Sequence, residues 1–342
     1  MNIVHKKDII PYCKFLIRDS IIMTTPKTLI VTIPGMIGES DIAPLRQQSD
    51  VEYCELNAIS EEALAQKCTG YDYLMLNMDV VPMSGHLKLT DRFYTHPGVQ
   101  SLKAIAVDMT GMDYFSPKLA EAAGILLQNI PHYSSQSVAE SILSEILLHS
   151  RQRHLSYMDV INGTPVEARK GINLVGRTAG IVGYGSIGSK VAELLAAIGM
   201  KVIVWNRSRK ENISTASLEQ IFQESDVVCI ALTTVSEGYD ANVGIIGENL
   251  LELCHGAIIV NLANELLVDL EAMTQALSDG RVSAYSVEAS PQVKAVLSMH
   301  NNVHFAPPNA WNSDESMQIL REVWISNVIS AVEGELRNVY RE

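Results

Sequence analysis

A chain of 342 residues, nearly half of them apolar, is long enough for two hydrophobic cores, and its formal charge of −13 argues against nucleic acid or an anionic membrane as partner. No hydrophobic run reaches the length a bilayer requires. The five cysteines (Cys13, Cys54, Cys68, Cys229 and Cys254) have neither metal-binding nor redox spacing; they read as reduced cytosolic thiols, with no metal and no catalytic cysteine expected.

Residues 1–26 mix Lys6, Lys7, Lys14, Arg18 and Asp19 into short apolar stretches. They lack a secretory core and a cleavage site, so they read as an N-terminal extension of a cytoplasmic protein. Strands are predicted at Thr28 to Ile33, Tyr71 to Asn77 and Leu102 to Val107, the last two separated by a polar segment with Pro82, Gly85 and Pro97-Gly98. A short helix, Lys118 to Ala123, closes at Gly124 before a strand at Ile125 to Gln128. Ser137 to His149 has apolar residues at helical spacing. Further strands are expected at Val227 to Leu232, Ala257 to Asn261, Val282 to Val287 and Val303 to Phe305, with helices between them and a final amphipathic helix at Glu315 to Gly334. Strands alternating with helices predict parallel sheets and an α/β fold.

The most informative stretch is GIVGYGSIGSKVAELLAAIGMKVIVWNRS, Gly180 to Ser208. An apolar strand (Ala179 to Val182) enters Gly183-Tyr184-Gly185-Ser186-Ile187-Gly188, an amphipathic helix follows and ends at Gly199, and a second strand (Val202 to Trp205) runs into polar residues. This is the pattern of a dinucleotide-binding unit: two glycines for a tight turn and close approach to a pyrophosphate, a third for helix packing, and helix amides for the phosphate charge. The second strand ends in Asn206-Arg207-Ser208, where NAD-binding units usually carry an acidic residue for the ribose hydroxyls. Asn206 removes a charge that would repel a 2′-phosphate and Arg207 offers a planar cation to bind one, which favours NADP(H). A rearrangement at Tyr184 or Lys210 would leave room for NAD(H), and the lesser reading of Arg207 is a solvated side chain after a strand.

Beyond the glycine unit, LKAIAVDMTGMD (Leu102 to Asp113), NIPHYSSQSVAE (Asn129 to Glu140), ESDVVCIAL (Glu224 to Leu232), GAIIVNLANELLVD (Gly256 to Asp269) and the Ala310-Trp311 pair follow one another in a telling order. Over about nine tenths of its length the chain resembles the D-isomer-specific 2-hydroxyacid dehydrogenases, most of all their glycerate dehydrogenase and hydroxypyruvate reductase branch. The resemblance implies a doubly wound Rossmann cofactor domain (134–311) and a flavodoxin-like substrate domain built discontinuously from residues 27–133 and 312–342. It also implies a homodimer formed through the cofactor domain, a small-molecule substrate, and a hinge near His132 and Ala310. Carried over residue by residue, the cofactor positions are Gly183, Gly185, Ser186, Ile187, Gly188, Asn206, Arg207, Ser208, Leu232, Thr233, Leu262, Ala263 and Glu288. Glu288 stands in for the aspartate that meets the nicotinamide carboxamide. The substrate positions are Met78, Asp79, Thr110 and Gly111; Asp79 aligns with the loop through whose backbone amides the family grips a carboxylate, where an anion would oppose an acidic substrate, although it reads more simply as a loop aspartate exposed to water.

The resemblance departs at the chemistry. Where the family has an arginine that clamps the substrate carboxylate and keto oxygen, this chain has Asn264; its proton-donating histidine and that histidine's glutamate align with Pro308 and, approximately, Val293. A general acid contributes roughly 10²- to 10⁴-fold and one donor at a developing oxyanion roughly 10²- to 10³-fold, so ordinary 2-keto acid reduction is expected to be very slow. Asn264 donates one neutral hydrogen bond and cannot form a charged bidentate pair. His132 is the replacement candidate, with Tyr133 and Tyr285 as weaker phenolic alternatives; His255, His300 and His304 read as surface or packing histidines. Three readings stay open: a reductase for an imine or other non-standard carbonyl-like substrate, a conventional 2-hydroxyacid dehydrogenase with relocated catalytic groups, and a catalytically silent cofactor-binding regulator or scaffold.

Overall fold

The structure, a computed structural model, describes residues 25–80, 89–112, 115–164, 169–208, 215–235, 241–288 and 290–340. Most of the expected N-terminal extension, together with Cys13, Pro82, Gly85, Lys210 and Asp113, lies outside the described residues. The described chain divides into two compact units, residues 25–129 with 321–340, and residues 130–320.

In the first unit, strands β1 (Lys27–Thr32), β2 (Asp50–Glu55), β3 (Tyr73–Leu76), β4 (Ala104–Val107) and β5 (Leu126–Gln128) form one parallel sheet in the order β2-β1-β3-β4-β5. Helices α1 (Glu39–Arg46), α2 (Glu61–Lys67), α3 (Asp91–Thr95) and α4 (Pro117–Ala122) connect them. β3 and β4 are buried at every position, as expected of central parallel strands covered on both faces, whereas the edge strand β2 alternates apolar with charged residues. β2 was not foreseen, because its charged positions mask an apolar run. The polar segment between β3 and β4 holds α3, which starts at Thr90, whose hydroxyl accepts from Arg92 N–H at 3.3 Å. Five residues are too few to show a helical period. The last helix, α12 (Asp314–Val332), contributes its residues from Arg321 onward to this unit. Trp324 is fully buried there and its indole N–H donates to the Ala106 carbonyl at 2.8 Å; Asn327 donates to the Asn129 carbonyl and accepts from Gln128 through its own carbonyl.

The second unit contains α5 (Ser135–Ser150), α6 (Arg153–Ile161), β6 (Thr178–Val182), α7 (Ser186–Ala197), β7 (Lys201–Trp205), α8 (Leu218–Glu224), β8 (Val227–Ile230), α9 (Glu248–Leu251), β9 (Ala257–Asn261), α10 (Leu270–Ser278), β10 (Val282–Glu288), α11 (Pro291–Leu297) and β11 (Val303–Ala306). All six strands are parallel, in the order β11-β10-β9-β8-β6-β7. The winding reverses direction between β6 and β8, and in such sheets the crevice at the carboxyl ends of the strands beside that point is where a ligand binds. α6 has no buried residue, and Tyr157, Val160 and Ile161 are each more than 60% exposed.

Packed between α5, α6, β10 and β11 is a polar network that the sequence did not announce. Glu145 is 8% exposed and its Oε2 accepts from the Ser286 hydroxyl at 2.6 Å and from His304 Nδ1 at 2.7 Å. Because the Ser286 proton goes to the carboxylate, Ser286 Oγ accepts from His149 Nε2 at 2.8 Å, which leaves His149 Nδ1 as a buried lone pair with no partner among the described residues. His304 is therefore a packing histidine, and Glu145 raises its pKa by hydrogen bonding. Burial pushes the thiols of Cys68, Cys229 and Cys254 up to about 12, so at neutral pH they are inert.

Candidate functional site

The glycine turn follows β6 directly. Gly183 has φ +100°, and a Cβ on it would lie 2.5 Å from the Ala231 carbonyl oxygen; one on Gly188 would lie 1.9 Å from the Gly183 oxygen. Both glycines are thus demanded by the chain's own packing. Gly185 is different: it is exposed, its φ is an ordinary −89°, and an added Cβ would meet nothing within 4 Å. Among the described residues no packing contact demands glycine at 185, whereas a phosphate group approaching the backbone at the start of α7 would. Ser186 and Ile187 occupy the first turn of that helix, with Gly185 as its N-cap.

At the end of β7, Asn206 Oδ1 accepts from Tyr184 N–H at 2.9 Å, and its Nδ2 donates to the Ser208 carbonyl at 2.7 Å and the Ser208 hydroxyl at 3.1 Å. The side chain therefore braces the glycine turn against the β7 end, a role not foreseen from sequence. Arg207 and Ser208 are exposed beside it.

Leu232 and Thr233 follow β8, and Leu262, Ala263 and Asn264 follow β9, all at the carboxyl edge of the same sheet as the glycine turn. Asn261 organises this edge: its Oδ1 accepts from Ala263 N–H at 3.1 Å and its Nδ2 donates to the Asn264 carbonyl at 2.9 Å. The Asn264 side-chain oxygen caps the short turn Glu265–Leu267, accepting from Leu266 N–H at 2.9 Å. Glu288 ends β10. Its carboxyl is raised to about 7, first by burial and then by the neighbouring Glu265 carboxylate. A half-buried acid that changes charge near neutrality is a group of functional interest.

Val293 is fully buried among apolar side chains, and Pro308 is exposed, its carbonyl accepting from the Trp311 indole N–H at 3.2 Å. Tyr285 is completely buried; burial raises the pKa of its phenol, which rules against proton donation to a solvent-accessible substrate. His132 is exposed and its backbone is left-handed, φ +65°. Such a backbone in a histidine is uncommon and is often found in a turn that other contacts impose.

In the first unit the four positions expected to meet substrate lie at the carboxyl edge of the sheet, Met78 and Asp79 in the turn after β3, Thr110 and Gly111 after β4. Met78 is buried; Asp79, Thr110 and Gly111 are exposed. The two turns are tied by a residue that sequence reasoning missed. Asp108, 7% exposed, accepts from Met78 N–H through Oδ1 at 3.0 Å and from the Asn77 amide through Oδ2. No sequence signal marks it, since an aspartate at a strand end ordinarily faces water.

Residues 143–308 match the family described as D-isomer specific 2-hydroxyacid dehydrogenase, NAD binding domain. Glycerate dehydrogenase of Methylorubrum extorquens is 29% identical over 303 residues, covering 84% of this chain and 91% of that protein. Glyoxylate reductase of Thermococcus gammatolerans is 28% identical over 327 residues, covering 90% and 93%. Among solved structures, an acyclic imino acid reductase in complex with NADPH and D-Arg shares the fold with a TM-score of 0.78 at 22% identity, covering 92% of this chain and all of that one.

Proposed function

The chain belongs to the D-isomer-specific 2-hydroxyacid dehydrogenases, a family of nicotinamide-dependent oxidoreductases, and from that premise we propose that it is an NADPH-preferring reductase whose substrate is an imine or similarly protonated carbonyl-like compound. The observation that carries this reading is Asn264. The side chain at the position of the family's carboxylate-clamping arginine is neutral, and its oxygen is committed to capping a turn. With Val293 and Pro308 at the positions of the family's acid pair, neither a clamp for a carboxylate nor a proton donor for an alkoxide stands there.

A bound nicotinamide supplies a hydride. The amides at the start of α7, the open space above Gly185 and the Arg207 side chain fit such a cofactor, with the 2′-phosphate on Arg207 and the carboxamide on Glu288. An iminium substrate would already carry its proton on nitrogen, so its reduction to the amine would call on no general acid from this chain, and a cationic substrate would have no need of a guanidinium. The remaining work for this chain is to bind and orient the substrate, a task that the neutral Asn264 amide suits. The imino acid reductase of the same fold shows that the architecture hosts such chemistry in another protein.

The test is NADPH oxidation by the purified protein with glyoxylate, pyruvate or hydroxypyruvate, alone and with a large excess of methylamine near neutral pH, where imine forms and part of it stays protonated. Turnover should require the amine. Oxidation at several per second with a keto acid alone, a rate ordinary for enzymes, overturns the proposal. We further propose that two copies pair through the apolar face of α6 that the described residues leave exposed, where Tyr157, Val160 and Ile161 cluster.

A further inference from the structure

We propose that Asp108 is the charge-selecting residue of the substrate surface: its buried carboxylate, tied to Asn77 and to the Met78 amide, makes the turns at Met78 and Thr110 favour a cationic ligand and disfavour an anionic one. This rests on the proposed assignment of Met78, Asp79, Thr110 and Gly111 to the substrate.

Three observations meet at this residue. The first is what Asp108 occupies. The backbone N–H of Met78 belongs to the turn proposed to meet the substrate, and it donates 3.0 Å to Asp108 Oδ1. An amide that would otherwise be available to a substrate carboxylate is thus already bound to a carboxylate of the protein.

The second is charge. Asp79 lies on the same turn, exposed, so two carboxylates underlie one patch, and Asp79 is the charged neighbour acting on Asp108. Opposite charges a few ångströms away in a partly buried setting interact by several-fold more than in bulk water, and like charges repel by as much.

The third is Asn77. It is 1% exposed, its Nδ2 donates to Asp108, and its Oδ1 is buried without a partner among the described residues. Rotation of the amide by a half turn would present that oxygen to Asp108, a contact that requires a proton on the carboxyl. The pair is therefore equipped for both states of Asp108, ionised with Asn77 donating and protonated with Asn77 accepting. Burial raises the Asp108 carboxyl to about 7, with Asp79 pushing the same way, so both states lie within reach near neutrality. A cation nearby holds the pair ionised at no cost. An anion is either repelled or must drive a proton onto Asp108, and above pH 7 that costs about tenfold in affinity per pH unit.

The experiment is calorimetric titration of the full-length protein, saturated with NADPH, with D-arginine as the cationic probe and glyoxylate as the anionic one, at pH 8.5 where Asp108 is ionised. Unmodified protein should bind D-arginine at least tenfold more tightly than glyoxylate. Asp108→Asn retains an oxygen for Met78 N–H but carries no charge, and it should bring the two affinities within about threefold. As an independent reading that needs no variant, glyoxylate affinity of the unmodified protein should fall about tenfold between pH 7.5 and 8.5. Equal or undetectable binding of the two probes to unmodified protein, or an unchanged preference in folded Asp108→Asn, overturns the inference. Binding preference and turnover separate this result from the proposed reaction: a catalytically silent protein would still show the preference, and an efficient keto acid reductase would show the reverse.

Discussion

Asn206 and Arg207 illustrate what a single position reveals and what it hides. The missing acidic residue at the end of β7 is visible in the sequence, and so is the guanidinium that follows it. That Asn206 also braces the glycine turn through Tyr184 N–H is not visible, because it depends on two turns meeting in space. With Asn206 where NAD-binding units carry an acidic residue and Arg207 exposed beside the turn, NADPH should bind more tightly than NADH. Arg207→Ala should remove most of the difference, about tenfold or more, and leave NADH affinity unchanged; fluorescence titration at low salt reads both. Equal affinities of the two cofactors in the unmodified protein would count against the assignment. Asp108 and Glu288 mark the limit of sequence reading at this scale. Each acquires its altered carboxyl from burial and a neighbouring acid, Asp79 in one case and Glu265 in the other, and neither environment can be read from a linear string.

At the scale of elements, the strand-turn-helix-strand unit from β6 to β7 was legible to within a residue or two, since glycines, period and length agreed. β2, α3 and α6 were not, each for a local reason: a charged edge strand, a five-residue helix, and a helix with no buried face at all. The glycine turn itself separates two kinds of requirement. Gly188→Ala would drive a Cβ to 1.9 Å from a backbone oxygen and should destabilise the protein by several kcal/mol, as overpacking against rigid backbone does. Gly185→Ala meets no protein atom, so the melting temperature without cofactor should move by no more than about 2 °C, roughly the effect of a few tenths of a kcal/mol. Cofactor affinity should nevertheless fall at least tenfold, because the added methyl occupies the space proposed for the pyrophosphate. Unaltered affinity in Gly185→Ala would remove the phosphate from that turn.

For the whole molecule, partner and pH both bear on stability. A helix that buries none of its apolar side chains is most simply explained by a surface that covers it, and sedimentation at micromolar concentration should show a dimer that Val160→Asp dissociates; a monomeric unmodified protein would refute the pairing proposed for α6. Acid should weaken the fold through His149. Burial lowers this imidazole from 6.5 to about 4, and a proton added at Nδ1 would find no acceptor among the described residues. Between those two values the unfolded chain binds more protons than the folded one, so stability is lost as pH falls from 6.5 toward 4. The single group accounts for up to ~3 kcal/mol of that loss. His304 runs the other way: Glu145 raises its pKa, so the stability it contributes is complete in acid and fades as pH rises through its folded value. Glu145 itself, lowered by its bonds to His304 and Ser286 despite burial, loses its contribution only in stronger acid, below its ordinary value. His149→Gln isolates the first effect, since an amide N–H can still donate to Ser286 Oγ but does not titrate. Urea unfolding at pH 7.5 and pH 5 should show the variant somewhat less stable at the higher pH and markedly less sensitive to the change. Identical pH dependence in the two proteins would mean that the His149 environment admits a proton, and with it that the Ser286 hydroxyl does not hold the ring in the tautomer assigned to it.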